Sequence, residues 1–278
     1  VTSAPKEPQR PILAVVATSV CLLAVAILGF AAYLFGISSI QEHRTQDTLY
    51  ASFRPQLEAA TAPVAGPIAT GKPIGILAIP AIRVRQVVVE GTTSGQLMRG
   101  PGHRRNTVLP GQPGASVIMG RRGTFGAPFA KINKLQIGDV ATVTTGQGTS
   151  KYRVADVRTS DQQSRPLIGT NRLVLVTADS PFRPSHYVIV TMIMDGKPYP
   201  AGGTAVPIST SEVALAGDTA AALPLVLWGQ LLLVTIAVSV WAYHRFGRWP
   251  AYLGTAVILL AVLWNVWESL ARLLPNVQ

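Results

Sequence analysis

IGILAIPAIRVRQVVVE, residues 74–90, carries two short aliphatic runs, Ile74–Ile79 and Val84–Val89, on either side of Pro80. Runs of this length read as strands, because branched side chains pack well on a pleated surface and crowd a helix. The signature recurs outward along the chain at Ser116–Met119, Val140–Thr145, Lys151–Thr159, Arg172–Thr177 and Tyr187–Met192. About seven strands between Gly and Pro clusters predict an all-β sandwich or closed barrel over residues 74–194, not a parallel α/β sheet. Short helices are expected at Ser94–Arg99 and near Pro128–Leu135.

The flanks are of another kind. Of the 278 residues only 13% are charged and 48% are hydrophobic, against roughly a quarter charged in an ordinary soluble domain. The excess sits in three blocks, residues 11–37, 220–243 and 250–274. Each is long enough for a membrane helix, which needs about 20 apolar residues. The first block is too long for a signal-peptide core and reads as an uncleaved anchor. The turn at 244–249 carries Arg245 and Arg248, and the tail at 1–10 carries Lys6 and Arg10. By the positive-inside rule both face the cytoplasm. That puts residues 38–219 and the tail 275–278 outside, in a multi-pass protein of the cell membrane. In the third span, Glu268 and Arg272 are four apart and share a helix face. Together with Asn265 and Gln230 they read either as an outer-interface anchor or as contacts to a partner helix.

Residues 38–54 look like a polar helix continuing out of the bilayer, and residues 55–73 and 195–211 like extended tethers. The linkers are therefore placed at 38–73 and 195–219. The single cysteine, Cys21, lies in the first apolar block. It rules out a disulfide framework or a cysteine-based zinc site within one chain. His43, His103, His186 and His244 are scattered, so no metal site is expected. No phosphate loop or dinucleotide fingerprint appears, so no cofactor is expected either.

Several segments of the middle domain, in order, carry a resemblance. They are GILAIPAI (Gly75–Ile82), VVEGTT (Val88–Thr93), RGPGH (Arg99–His103), LPGQPG (Leu109–Gly114), MGRRGTFGAPF (Met119–Phe129), LQIGD (Leu135–Asp139), KYRV (Lys151–Val154) and LVLVTADSPF (Leu173–Phe182). This series resembles the sortases, and among them the class E-like enzymes of actinobacteria. The resemblance implies an eight-stranded β-barrel and an extracytoplasmic cysteine transpeptidase lineage. Such enzymes need a thiolate nucleophile, a His to protonate the leaving amine and an Arg for substrate and oxyanion.

At the matching positions this chain has Ala178 for the Cys, Arg121 for the His and Tyr187 for the Arg, with Arg183 displaced by several positions. Ala178 offers no nucleophile, and a guanidinium keeps its proton near neutral pH. The resemblance thus implies a degenerate, catalytically inactive pseudo-sortase. Ser180, Thr177, His103 and His186 are the substitutes to weigh, and turn or surface roles explain them more cheaply.

Residues 72–197 hold 17 Lys+Arg against 6 Asp+Glu, a balance that favours anionic partners. An extracytoplasmic domain seldom meets nucleic acid, so anionic lipid or envelope polymer is the nearer candidate. Arg121, Arg122, Arg104, Arg105 and Arg183 are the binding candidates. Arg121 is expected in the old substrate groove; the plainer alternative is a solvated basic face. The expected function is a non-catalytic accessory or scaffold subunit of a cell-envelope complex, docking an integral membrane protein partner. The alternatives are an active cysteine-independent sortase or hydrolase, and a stand-alone lipid- or glycan-binding receptor.

Overall fold

A computed structural model describes residues 10–163, 171–202, 206–246 and 248–278. The tail at 1–9 and Gly247, within the expected cytoplasmic turn, lie outside them. Helix α1 (Arg10–Ala32) passes through a π-helical turn at Tyr33–Ile37 into α2 (Ser38–Glu58) without a break. The strands are β1 (Pro73–Ile79), β2 (Val84–Glu90), β3 (Gly102–His103), β4 (Ala115–Met119), β5 (Val140–Thr145), β6 (Gly148–Thr159), β7 (Arg172–Ala178) and β8 (Tyr187–Asp195). Helix α3 (Ser94–Leu97) separates β2 from β3, and α4 (Ala222–Phe246) and α5 (Arg248–Leu273) follow the barrel.

The eight strands form a closed barrel in the order β1-β2-β3-β4-β7-β8-β6-β5. The β2–β3 and β4–β7 pairs are parallel and the others antiparallel. Closure leaves no sheet edge exposed. The two-residue β3 is the strand that no hydrophobic run announced. Inside, Ile74, Leu77, Ile79, Val88, Ile118, Val143, Tyr152, Leu173, Leu175 and Val190 form one buried core. In β6 the order Ser150, Tyr152, Val154 inward and Thr149, Lys151, Arg153 outward is the two-residue period of a half-buried strand.

Strand β2 breaks that alternation, since Val87, Val88, Val89 and Glu90 are all buried. Its outer face is covered by α2, where Leu49 packs on Val87 and Val89. Gln46 makes the junction specific. Its amide donates to Val87 O (3.1 Å) and Arg99 O (2.8 Å) and accepts from Val87 N (2.7 Å). Because β3 reaches only Val89 and Glu90, this amide supplies the hydrogen bonds a longer neighbouring strand would have made.

Two expectations change. Near Pro128–Leu135 there is only a 3-10 turn, Ile132–Lys134. Phe125 and Ala127 before it have positive φ (49° and 45°), which an α-helix excludes. The linkers are laid against the barrel instead of standing free as tethers. Gln112 Nε2 donates to Val64 O, Gly71 N to Glu90 O, Tyr199 N to Gly111 O and Gln147 Nε2 to Pro200 O. Proline- and glycine-rich chain still has polar backbone groups, and the barrel loops satisfy them.

Helices α1, α4 and α5 include three stretches long and apolar enough to cross a membrane. Helices α4 and α5 form a hairpin. At the barrel end of the bundle Tyr33, Phe125, Met98 and Ala271 are buried together, with Phe30, Trp264 and Trp267 packed on them.

Candidate functional site

Three neighbouring strand ends bring Arg121, Ala178 and Tyr187 to one end of the barrel. Gly120, after β4, donates its N–H to Val176 O (3.0 Å), and Thr177 Oγ1 donates back to Gly120 O (2.8 Å). A side chain at 120 would run into the Phe129 ring, so glycine is required where the chain leaves β4. Ala178 and Tyr187 are opposite partners in the β7–β8 ladder.

Arg121 does not line an open groove as the sequence reading expected. It is fully buried. Its guanidinium donates to Thr124 Oγ1 (3.0 Å), Ser94 O (3.2 Å) and Ser94 Oγ (2.7 Å), and lies 5.0 Å from the centroid of the Phe125 ring. All of these partners are neutral. Burial pulls its pKa down to about 9, which leaves it charged at neutral pH. The correction has a packing cause: α3 brings Ser94 over the strand ends, and Tyr33 and Phe125 close the side toward the helices.

Ala178 is fully buried too, among Leu97, Met119, Val176 and Val277. Val277 belongs to the segment that follows α5. Its carbonyl accepts from Arg122 N (3.1 Å) and Ala178 N (3.3 Å). Position 178 therefore lacks both a nucleophile and a path from solvent among the described residues. The chain's one cysteine, Cys21, is exposed on α1.

Residues 77–193 match the family model described as Sortase domain. Over that stretch the barrel is similar to the sortase domain. Sortase D of Bacillus subtilis (strain 168) is 30% identical over 99 residues, 36% of this chain and 48% of that protein. The chain thus spans about half the length of the curated relative it matches. A Sortase D5 transpeptidase of Clostridium perfringens shares 24% identity at a TM-score of 0.46, over 55% of this chain and 99% of that one. Sortase E1 from Streptomyces coelicolor shares 27% at a TM-score of 0.43, over 49% and 94%.

No other nucleophile–base pair in this barrel has working geometry among the described residues. Ser185 Oγ lies 3.0 Å from His186 Nδ1, and Asp179 Oδ2 lies 3.7 Å from the same nitrogen. A triad needs acid and nucleophile on opposite ring nitrogens. Ser180 Oγ accepts from Phe182 N and Arg183 N in an exposed turn. His103 is buried, with Nδ1 2.8 Å from Glu90 Oε2 and Nε2 2.9 Å from Val108 O, so it braces β3. The described residues hold no group of three His, Cys, Asp or Glu side chains fit for a metal.

The other arginine candidates do not converge on one site. Arg122 is half-buried beside the Val277 segment, and Arg183 is exposed after β7. Arg104 and Arg105 follow β3. Arg105 lies 3.9 Å from Glu212 and lines a cavity of about 200 Å³ with His103, Glu90 and Thr107. Of the polar residues in the apolar helices, Glu268 pairs with Arg272 (2.6 Å), and Asn265 Nδ2 donates to Ala261 O of its own helix (2.8 Å). Gln230 is exposed on α4.

Sequence reasoning missed Ser94, Thr124, Tyr33 and residues 275–278. The first two are ordinary turn residues, and nothing local marks the last group as part of a barrel.

Proposed function

We propose that this chain is a non-catalytic, sortase-like membrane subunit. It acts as an accessory or scaffold in a cell-envelope complex, and its barrel docks a protein partner or an anionic envelope ligand. The observation that carries the reading is position 178. It holds an alanine in place of a thiol and is buried beneath Val277. A thioacyl route needs a thiolate in contact with a peptide carbonyl. Arg121 cannot replace a proton-donating imidazole, because its guanidinium keeps its proton and is spent on Ser94 and Thr124.

In this reading α1, α4 and α5 cross the membrane, the basic segments 1–10 and 244–249 face the cytoplasm, and the barrel faces out. The three helices offer more apolar surface than anchoring one small domain requires, which favours an integral membrane protein partner. The remaining Arg and Lys side chains favour an anionic surface.

The test is purification of the full chain from membranes in mild detergent, at native expression, with mass measured by light scattering. Recovery of a defined integral membrane partner supports the reading, and a strictly solitary chain overturns it. A sorting-peptide cleavage assay on the same preparation addresses the chemistry separately. Turnover that survives purification and is lost in Ser180→Ala or His186→Ala would overturn the non-catalytic part.

A further inference from the structure

Residues 275–278 pass over the ends of β4 and β7 as a tight turn closed by Gln278 N donating to Pro275 O (3.2 Å), and each contact is of a kind that recognises sequence. The Val277 carbonyl takes two converging N–H groups, from Arg122 (3.1 Å) and Ala178 (3.3 Å). Its side chain is fully buried in an aliphatic pocket of Leu97, Met119, Val176 and Ala178. Asn276, also fully buried, donates through Nδ2 to Thr92 O (2.7 Å) and Val213 O (3.0 Å). Its own N–H donates to Ala216 O (2.9 Å). Gln278 accepts from Thr124 Oγ1 at its carbonyl (3.0 Å) and donates from Nε2 to Pro181 O (3.1 Å).

Backbone bonds hold the turn while successive side chains address different walls, so both hydrogen bonding and shape discriminate among peptides. The two carbonyls at Thr92 and Val213 require a donor, so they select a carboxamide over a carboxylate. The next pocket selects an aliphatic side chain. None of these contacts serves α5 itself, which ends at Leu273.

We infer that this groove is a peptide-binding site whose resident ligand is the chain's own residues 275–278, presented in cis by α5. The inference goes beyond the docking reading and holds with or without a partner. Tethering gives the segment a millimolar or higher effective concentration. A free peptide therefore competes poorly until the resident one is released. The arrangement also fixes the barrel on the helices, since Asp218 N donates to Arg272 O in the last turn of α5 (3.0 Å).

The experiment uses the full chain in detergent and a fluorescein-labelled synthetic peptide, Leu-Leu-Pro-Asn-Val-Gln. Wild type is expected to bind it only at about millimolar concentration, and Val277→Asp at least about tenfold more tightly. A scrambled peptide should bind neither. Equal affinity for both proteins, or no binding to a folded Val277→Asp variant, overturns the inference.

Val277→Cys in a Cys21→Ser background keeps the test open if Val277→Asp fails to fold. A water-soluble maleimide should label it at least about tenfold more slowly than Gln163→Cys on the exposed surface. With Ala178→Cys added, oxidation should join the two thiols and abolish peptide binding. Labelling at the surface rate, or unchanged peptide binding after oxidation, refutes it.

Discussion

Replacing Arg121 by methionine should leave the barrel nearly as stable as wild type, whereas alanine at the same place should damage it. Two terms oppose each other. Burial lowers the guanidinium pKa from its ordinary value to about 9, and at 1.36 kcal/mol per pH unit that is roughly 4–5 kcal/mol against the charged form. Three charge-assisted hydrogen bonds, each worth about 1.5 kcal/mol, return a similar amount.

Removing the guanidinium strands few partners. Ser94 O still accepts from Met98 N (3.1 Å), and Thr124 Oγ1 still donates to Gln278 O (3.0 Å). The Arg121→Met variant therefore lands within about 1 kcal/mol of wild type, since the new side chain fills most of the same space. Alanine adds a cavity and costs about 2–4 kcal/mol. At about 2–4 °C per kcal/mol, the expectation is a Tm within about 4 °C of wild type for Arg121→Met and roughly 4–16 °C lower for Arg121→Ala.

The measurement is calorimetry of the full chain in detergent. Scans with and without phosphate separate packing from ligand binding. If methionine is as harmful as alanine, or phosphate stabilises wild type but not Arg121→Met, the charge itself is needed and the packing argument fails.

Three further outcomes follow from the fold. Glu42 is fully buried, and His43 Nδ1 is 3.5 Å away. Burial pushes its pKa from 4.5 up to about 7, with Gln86 opposing the shift. The folded state then binds the proton more tightly than the unfolded state. This group's contribution is fully present below pH 4.5 and is lost as pH rises through 7. Glu42→Gln should flatten that fall and gain up to about 3 kcal/mol at pH 8, read from melting curves across pH. Gln46→Leu strands Val87 N, Val87 O and Arg99 O and should cost about 3 kcal/mol, with faster hydrogen exchange along α2; unchanged exchange would show that α2 is held otherwise. Gly102→Ala places a methyl group against Gly91 O and Leu97, so it should cost about 3 kcal/mol or more and lower Tm sharply.

Much of the barrel was legible because its signals are local. The period of two in β6, the aliphatic runs of β1, β7 and β8 and the Gly and Pro turns are each decided within a few residues. The three apolar stretches are likewise a matter of length and composition. Strand β3 was not legible, since two residues carry no periodicity. Its pairing comes from β2 and β4 on either side. The residues at 121, 178 and 187 were read from motif register, and the ladder partnership of Ala178 and Tyr187 puts two of them side by side.

What the sequence determined by itself is a β domain between apolar helices, with no cysteine in the barrel and alanine at position 178. Those are facts of composition and order. Whether Arg121 meets solvent or protein is a different kind of question. Only the tertiary structure decided it, because Ser94 and Tyr33 reach that side chain from distant parts of the chain, while Phe125 closes over it from four residues away. Val277 reaches Ala178 across about a hundred residues of sequence, and no local propensity encodes such a contact. It follows from α5 ending beside the barrel mouth, where the Arg122 and Ala178 N–H groups and an aliphatic pocket receive the turn at 275–278.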